Sequence, residues 1–402
     1  MNYDFETVIN RGGTLSLKWD ATHQGEGLSP VIPLWVADMD FAVVTAVSEA
    51  LRARAAHPVY GYTTPPGAYF KAVRAWHSHR YGRKIEPEHL LLTPTVLHAM
   101  SMALRTFTSP GDPILNMPPV YFPFFRMVAL HDRASVEVPL QREGTRWSLE
   151  AKALETRLTE AFRAGTPVKA LLLSNPQNPT GRVWSRDELG FLAALANEFD
   201  LMVLSDEIHA DLIAPGKTHA SVYDLPELAS RSVIFAGPNK TFNLAGLAIS
   251  HVLVRDPVLR SKLKRTIEGD FFEQPNLMAM TAAVAAYENG GPWLDELMMV
   301  IQANLATLRV FLESWGLEAC PLEATYLAWV DFSPVIGRLG FTDDRDLARY
   351  LEETGRVKMT PGSMFRTGGE NHLRINLATP NLLLVTGLSR LDGALKARQT
   401  QP

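Results

Sequence analysis

Three short apolar runs, each followed at once by polar residues, constrain this chain more than any other feature. They are Ala170-Leu171-Leu172-Leu173-Ser174, Leu201-Met202-Val203-Leu204-Ser205 and Ser232-Val233-Ile234-Phe235-Ala236. Runs of this length without alternation suit strands buried on both faces. Trp184 to Phe199, between the first two, carries apolar residues at helical spacing. Strand–helix–strand repetition implies parallel βαβ units with right-handed crossovers, hence an α/β fold with a mostly parallel central sheet. Ligands of such sheets sit beyond the carboxyl ends of the strands. There the first run continues into Asn175-Pro176-Gln177-Asn178-Pro179-Thr180-Gly181, the second into Asp206-Glu207-Ile208-His209, and the third into Gly237-Pro238-Asn239-Lys240-Thr241. An amide, a carboxylate and a lysine therefore converge on one crevice.

Pyridoxal 5′-phosphate chemistry needs this set. A lysine amine condenses with the aldehyde, a carboxylate keeps the pyridine nitrogen protonated, and a donor meets the phenolic oxygen. The phosphate needs backbone N–H groups, ideally at a helix N-terminus. Thr93-Pro94-Thr95-Val96-Leu97-His98, which precedes an apolar helical run, can supply them. Taken singly, each residue has an ordinary explanation. A lone lysine is usually solvated, an Asp after a strand is usually a turn or cap, and Asn-Pro is usually a turn. The ordered combination carries the weight. Two rivals fail: a phosphate-binding P-loop would need Gly where Ile234 and Asn239 stand, and no Cys/His set has zinc spacing, so no metal is expected.

Bulk properties narrow the partners. A formal net charge of −4 gives no basic excess for a general nucleic-acid surface. The one cysteine, Cys320, precludes an intrachain disulfide framework and fits a reducing compartment. The acidic start, Met1 to Phe5, is unlike a secretory signal, and no apolar run is expected to approach bilayer-spanning length, so a cytoplasmic location and no membrane partner are expected. Asn289-Gly290-Gly291-Pro292 punctuates the chain. After it, Leu294, Leu297, Ile301, Leu305, Leu308 and Leu312 form one face of a long core-facing helix. Beyond Trp315, Tyr326 to Val330 and Leu373 to Leu377 read as strands of a second, smaller α+β domain. The expected division is an N-terminal arm joined to the small domain (1–44), a large cofactor domain (45–290) and the C-terminal small domain (291–402).

The chain resembles the fold-type I, class I/II pyridoxal phosphate-dependent aminotransferases along nearly its whole length. Within them it looks most like the MalY/PatB group of cystathionine β-lyase-like C–S lyases. The marks are Asn2 to Phe5, Ser16-Leu17-Lys18-Trp19-Asp20, Trp35 to Phe41, Tyr60-Gly61-Tyr62, Asn175 to Gly181, Ser205 to His209, Asn239 to Leu247 and Leu373-Arg374-Ile375-Asn376. The resemblance implies that Lys240 is the Schiff-base lysine and proton shuttle. It also implies that Asp206 pairs with the pyridine nitrogen and that Asn178 bonds the phenolic oxygen with His209 nearby. Tyr121 would stack on the ring, and Val96 and Leu97 would offer N–H groups to the phosphate. Tyr62 would reach the phosphate of a neighbouring subunit in a homodimer, and Arg374 would hold the α-carboxylate of an amino-acid substrate. Three positions depart from the pattern: Asn239 stands where Ser is usual, Ala248 where classical aminotransferases have a phosphate-binding Arg, and Ala324 where Gly is common. The leading function is β-elimination from sulfur amino acids. Transamination is the alternative, and a regulatory or binding protein on the same fold is a second alternative.

Overall fold

The computed structural model describes residues 2–22, 30–63, 67–272 and 274–400. Its centre is a seven-stranded sheet. The strands in chain order are β1 (Leu90–Thr93), β2 (Pro113–Asn116), β3 (Ala134–Glu137), β4 (Ala170–Ser174), β5 (Met202–Asp206), β6 (Ser232–Ala236) and β7 (Ser250–Leu253). Their spatial order is β1-β7-β6-β5-β4-β2-β3. All neighbours pair in parallel except β7, which runs antiparallel to both β1 and β6. Every residue of β4 is buried, as its unbroken apolar run requires.

Helices cover the sheet. Helix α1 (Val96–Phe107) follows β1, and the Thr95 side chain caps it by accepting from His98 N at 3.2 Å. Helix α2 (Arg186–Glu198) crosses from β4 to β5 behind a reciprocal capping box of Ser185 and Glu188. Register then aligns the polar strand ends: Ser174 lies beside Asp206, and Asp206 beside Phe235. Asn175 N donates to Asp206 O at 2.8 Å and Glu207 N to Phe235 O at 2.8 Å, so the same edge stays in step past the last strand residue.

The punctuation at Gly290 is a packing necessity. A Cβ there would meet Phe242 Cε1 at 2.3 Å and Ala286 O at 2.5 Å. Helix α3 (Gly291–Ser314) starts immediately after it. Its 24 residues are long and apolar enough to span a bilayer, contrary to the expectation that nothing reached that length. Sparse polar residues interrupt the run in the sequence, and the helical stripe from Leu294 to Leu312 is buried in the core. A second, three-stranded antiparallel sheet follows: β8 (Leu327–Asp331), β9 (Thr360–Pro361) and β10 (His372–Asn376), in the order β8-β10-β9.

The N-terminal arm is fastened by buried charge. Lys18 is wholly buried, and its Nζ lies 2.7 Å from Asp40 Oδ2 and 3.7 Å from Asp38 Oδ1. Arg11 bridges the same two carboxylates at 2.8 and 2.7 Å, and Trp19 Nε1 donates to Asp40 Oδ1 at 2.8 Å. Burial alone would raise the Asp40 pKa, but Lys18, Trp19 and Arg11 together hold it below its ordinary value. Asp40→Ala is expected to lower unfolding free energy by roughly 3–5 kcal/mol, because it strands a buried ammonium. Denaturant titration measures this, and a loss under about 1 kcal/mol would make the network dispensable.

Candidate active site

The carboxyl edge of β4, β5 and β6 borders a cavity of ≈ 250 Å³ lined by Asn178, Asp206, His209, Asn239 and Lys240, with Tyr121, Val96 and Leu97 completing it. Eight of the nine sequence-nominated residues thus surround two connected spaces: seven line this cavity, and Arg374 lines a neighbouring one of ≈ 500 Å³ that shares Ala37, Tyr121 and Lys240. The ninth, Tyr62, lies apart and is 93% exposed.

Lys240 sits in a single turn of helix, Pro238–Thr241, directly after β6. Its Nζ donates to the Ala37 carbonyl at 2.6 Å. Burial pushes its pKa down to about 8; Asp38 opposes this, Arg374 adds to it, and Asp206 opposes it. Behind the lysine, Thr241 Oγ1 donates to Asp211 Oδ2 at 2.8 Å, and Asp211 also accepts from Trp76 Nε1 at 2.9 Å and from the Tyr81 hydroxyl. That carboxylate ties the lysine-bearing turn to the helical layer.

Asp206 is buried, and burial lifts its pKa to about 7 although Ile208 N, 3.1 Å away, and Lys240 pull it down. A carboxylate so destabilised favours a cationic partner. Its sequence neighbour Glu207 serves the fold instead: it accepts from Val222 N at 2.9 Å and Ser205 Oγ at 3.1 Å, and pairs with His219 at 3.1 Å. His209 is held to about 3, by burial first and then by Lys240 and Arg374, so its imidazole is neutral; its Nδ1 has no partner among the described residues.

Arg374 projects from β10. Its Nη1 donates to Asn178 Oδ1 at 3.1 Å and its Nη2 to the Trp35 carbonyl at 3.0 Å, while its guanidinium lies 5.0 Å from the Phe365 ring centre. Its Nε is buried without a partner among the described residues. Because Arg374 takes the amide oxygen of Asn178, the Nδ2 donor is left for an oxygen in the cavity. Two residues further along β10, on the same face, Asn376 Nδ2 donates to the carbonyls of Val36 and Asp38, each at 2.6 Å. Residues 35–38 are therefore stitched across the cavity wall by the small sheet.

This donor set fits pyridoxal phosphate. The first N–H groups of α1, at Val96 and Leu97, have no intrahelical acceptor and suit a phosphate. The buried Asp206 suits a protonated ring nitrogen and Asn178 Nδ2 a phenolic oxygen. The unpartnered Asn239 Oδ1 is a buried acceptor beside Lys240. Ala248 lies at a left-handed turn (φ 44°), and among the described lining residues of the smaller cavity Lys240 is the one lysine or arginine. Sequence reasoning missed the Ala37 and Trp35 carbonyls and Tyr326, whose hydroxyl donates to Ala37 O at 2.9 Å. The Trp35 to Phe41 stretch was the available signal, recognised as a family mark without a role.

A lysine turn, a carboxylate and an amide at one edge of this sheet, facing an arginine from a smaller domain, define a fold-type I α/β enzyme. The chain belongs to the aminotransferase class I and II family, whose model matches residues 29–385. It is 38% identical to cystathionine β-lyase PatB of Bacillus subtilis, over 98% of this chain and 100% of the relative. It is 29% identical to protein MalY of Escherichia coli, over 98% and 99%. Among solved structures, cystalysin of Treponema denticola, which contains pyridoxal 5′-phosphate, superposes with a TM-score of 0.91 at 33% identity, over 99% of this chain and all of the other.

Proposed function

We propose that this chain is a pyridoxal phosphate-dependent C–S β-lyase that converts a sulfur amino acid such as cystathionine to a thiol, pyruvate and ammonia. The observation that carries the reading is the half-buried Lys240 amine shared by a cofactor-sized cavity and a larger one bordered by Arg374. PatB and cystalysin, similar over nearly their whole lengths, support it. When bound, the cofactor supplies an electron sink for carbanion charge at Cα. Val96 and Leu97 would hold its phosphate, Asp206 its ring nitrogen and Asn178 its phenolic oxygen, with Tyr121 and a neutral His209 as neighbours.

The protein's own work is orientation and proton movement. Arg374 grips the α-carboxylate through a planar fork. Its bond to Asn178 couples substrate position to cofactor position. Lys240 Nζ takes the α-proton, and a pKa near 8 leaves a useful fraction of free amine at neutral pH. The same nitrogen then returns a proton to the departing sulfur, directly or through water. Arg374→Ala is expected to raise KM most, with a loss in kcat/KM of roughly 2–5 kcal/mol. If amino acids bind the variant as well as the parent, Arg374 is structural.

The active form is a homodimer with shared sites, in the cytoplasm. Tyr62 is 93% exposed, and its near chain neighbours Val59 and Tyr60 are exposed too, apolar side chains suited to burial against a second copy. A hybrid of one Tyr62→Phe subunit and one Lys240→Ala subunit tests this. If Tyr62 serves the neighbour, one site carries both defects and the other neither, so activity rises above either parent homodimer. No rescue, or a monomer by light scattering, rejects it.

Incubation with cystathionine decides the reaction. Stoichiometric pyruvate, ammonia and homocysteine support the lyase. Amino transfer to a keto acid, with no pyruvate from any sulfur substrate, makes it an aminotransferase.

A further inference from the structure

The larger cavity extends well past the groups that hold an amino acid's α-carbon. At ≈ 500 Å³ it is about twice the volume of the cofactor cavity it joins, and far larger than a methylthio group requires. Its floor is apolar, from Trp35, Phe122, Met359 and Met364, which suits a thioether chain.

Helix α4 (Asp344–Glu353) contributes to its wall. Arg345, Ala348, Arg349 and Glu352 of this helix line the cavity, at the three- and four-residue spacing that makes one helix face. The charges there are mostly matched. Lys358 Nζ lies 2.9 Å from Glu352 Oε1 and 4.9 Å above the Trp35 ring, and Arg349 is paired with Asp346. Asp344 is buried and spent on Ser363 N at 2.9 Å and Asn371 N at 3.2 Å. Arg345 differs. Its Nε donates to Ser363 Oγ at 2.8 Å, which orients the solvent-exposed guanidinium, and its two terminal nitrogens have no partner among the described residues. An oriented fork with two free donors is the geometry that receives a carboxylate.

Building on the lyase reading, we infer that the cavity is a leaving-group subsite in which Arg345, with Arg349 beside it, binds a distal carboxylate on the sulfur substituent. The preferred substrates are thus cysteine thioethers whose leaving thiol carries a carboxylate, rather than plain S-alkylcysteines. Arg345 sets this specificity and takes no part in bond breaking.

A matched pair of substrates isolates the effect: S-(3-carboxypropyl)-L-cysteine and S-butyl-L-cysteine, which have similar chain lengths and differ in the terminal carboxylate. The parent holoenzyme should favour the carboxylate by about tenfold in kcat/KM, and Arg345→Gln should abolish most of that ratio through KM, with Arg345→Lys restoring part of it. Calorimetric Kd values for the two compounds should show the same preference and the same loss. A ratio near unity in the parent, or an unchanged ratio in Arg345→Gln, overturns the inference. Absence of pyruvate from both compounds would instead reject the lyase reading, and the Kd ratio would still judge the subsite.

Discussion

Lys240→Ala is expected to lose the visible absorption of the bound cofactor and to lower turnover by on the order of 10⁴-fold or more, since the proposed function gives both covalent attachment and proton transfer to this one amine. The fold should survive. Among the described residues the Lys240 side chain makes one hydrogen bond, to Ala37 O, whereas the turn that carries it is held independently by Thr241 on Asp211. Circular dichroism and the thermal midpoint should therefore stay near the parent values while absorbance and pyruvate release collapse. An unchanged spectrum would remove Lys240 from the mechanism.

Asp206→Ala should be nearly as damaging, but in a different kinetic parameter. The parent site holds a carboxylate where burial opposes ionisation, with a pKa near 7 even though Lys240 draws it down. A protonated ring nitrogen there would restore the anion, and the pair would matter most as carbanion charge develops. Interactions of that kind lower kcat more than they raise KM, and loss of one preorganised electrostatic partner costs on the order of 10²–10³-fold. Steady-state kinetics at saturating cofactor measure it. Normal kcat in the variant would mean that another group meets the ring nitrogen.

The parts of the site that could be read from the sequence share one property: they are side chains just past buried strands. Parallel neighbours carry their polar ends to a common edge, so Asn178, Asp206 and Lys240 could be grouped before any coordinates. The runs themselves were legible for the same reason: Ala170–Ser174 and Ser232–Ala236 have the predicted bounds, and the middle strand is shifted by one residue to Met202–Asp206. What escaped is contributed by main chain or by distant segments. The Ala37 and Trp35 carbonyls have no residue-type signature, and their partners Lys240 and Arg374 lie hundreds of positions away. Glu207 shows the opposite difficulty. It adjoins Asp206 in sequence, but strand alternation turns it toward Val222 and His219, away from the cavity. Arg345 was invisible because a charged residue on an amphipathic helix is ordinarily solvated; its significance comes from Ser363 and from the cavity it borders.

The buried charges of the N-terminal arm reach the chemistry through their field. Asp38 acts on Lys240, drawing its pKa upward against the effect of burial. Arg11 spans Asp38 and Asp40, and so partly cancels the negative potential that the lysine experiences. Removing that guanidinium would leave Asp38 less compensated and make the distant amine more basic, moving the acidic limb of its pH–rate profile to higher pH. The arm thus tunes, through its charges, the basicity of the same amine that its Ala37 carbonyl holds in place.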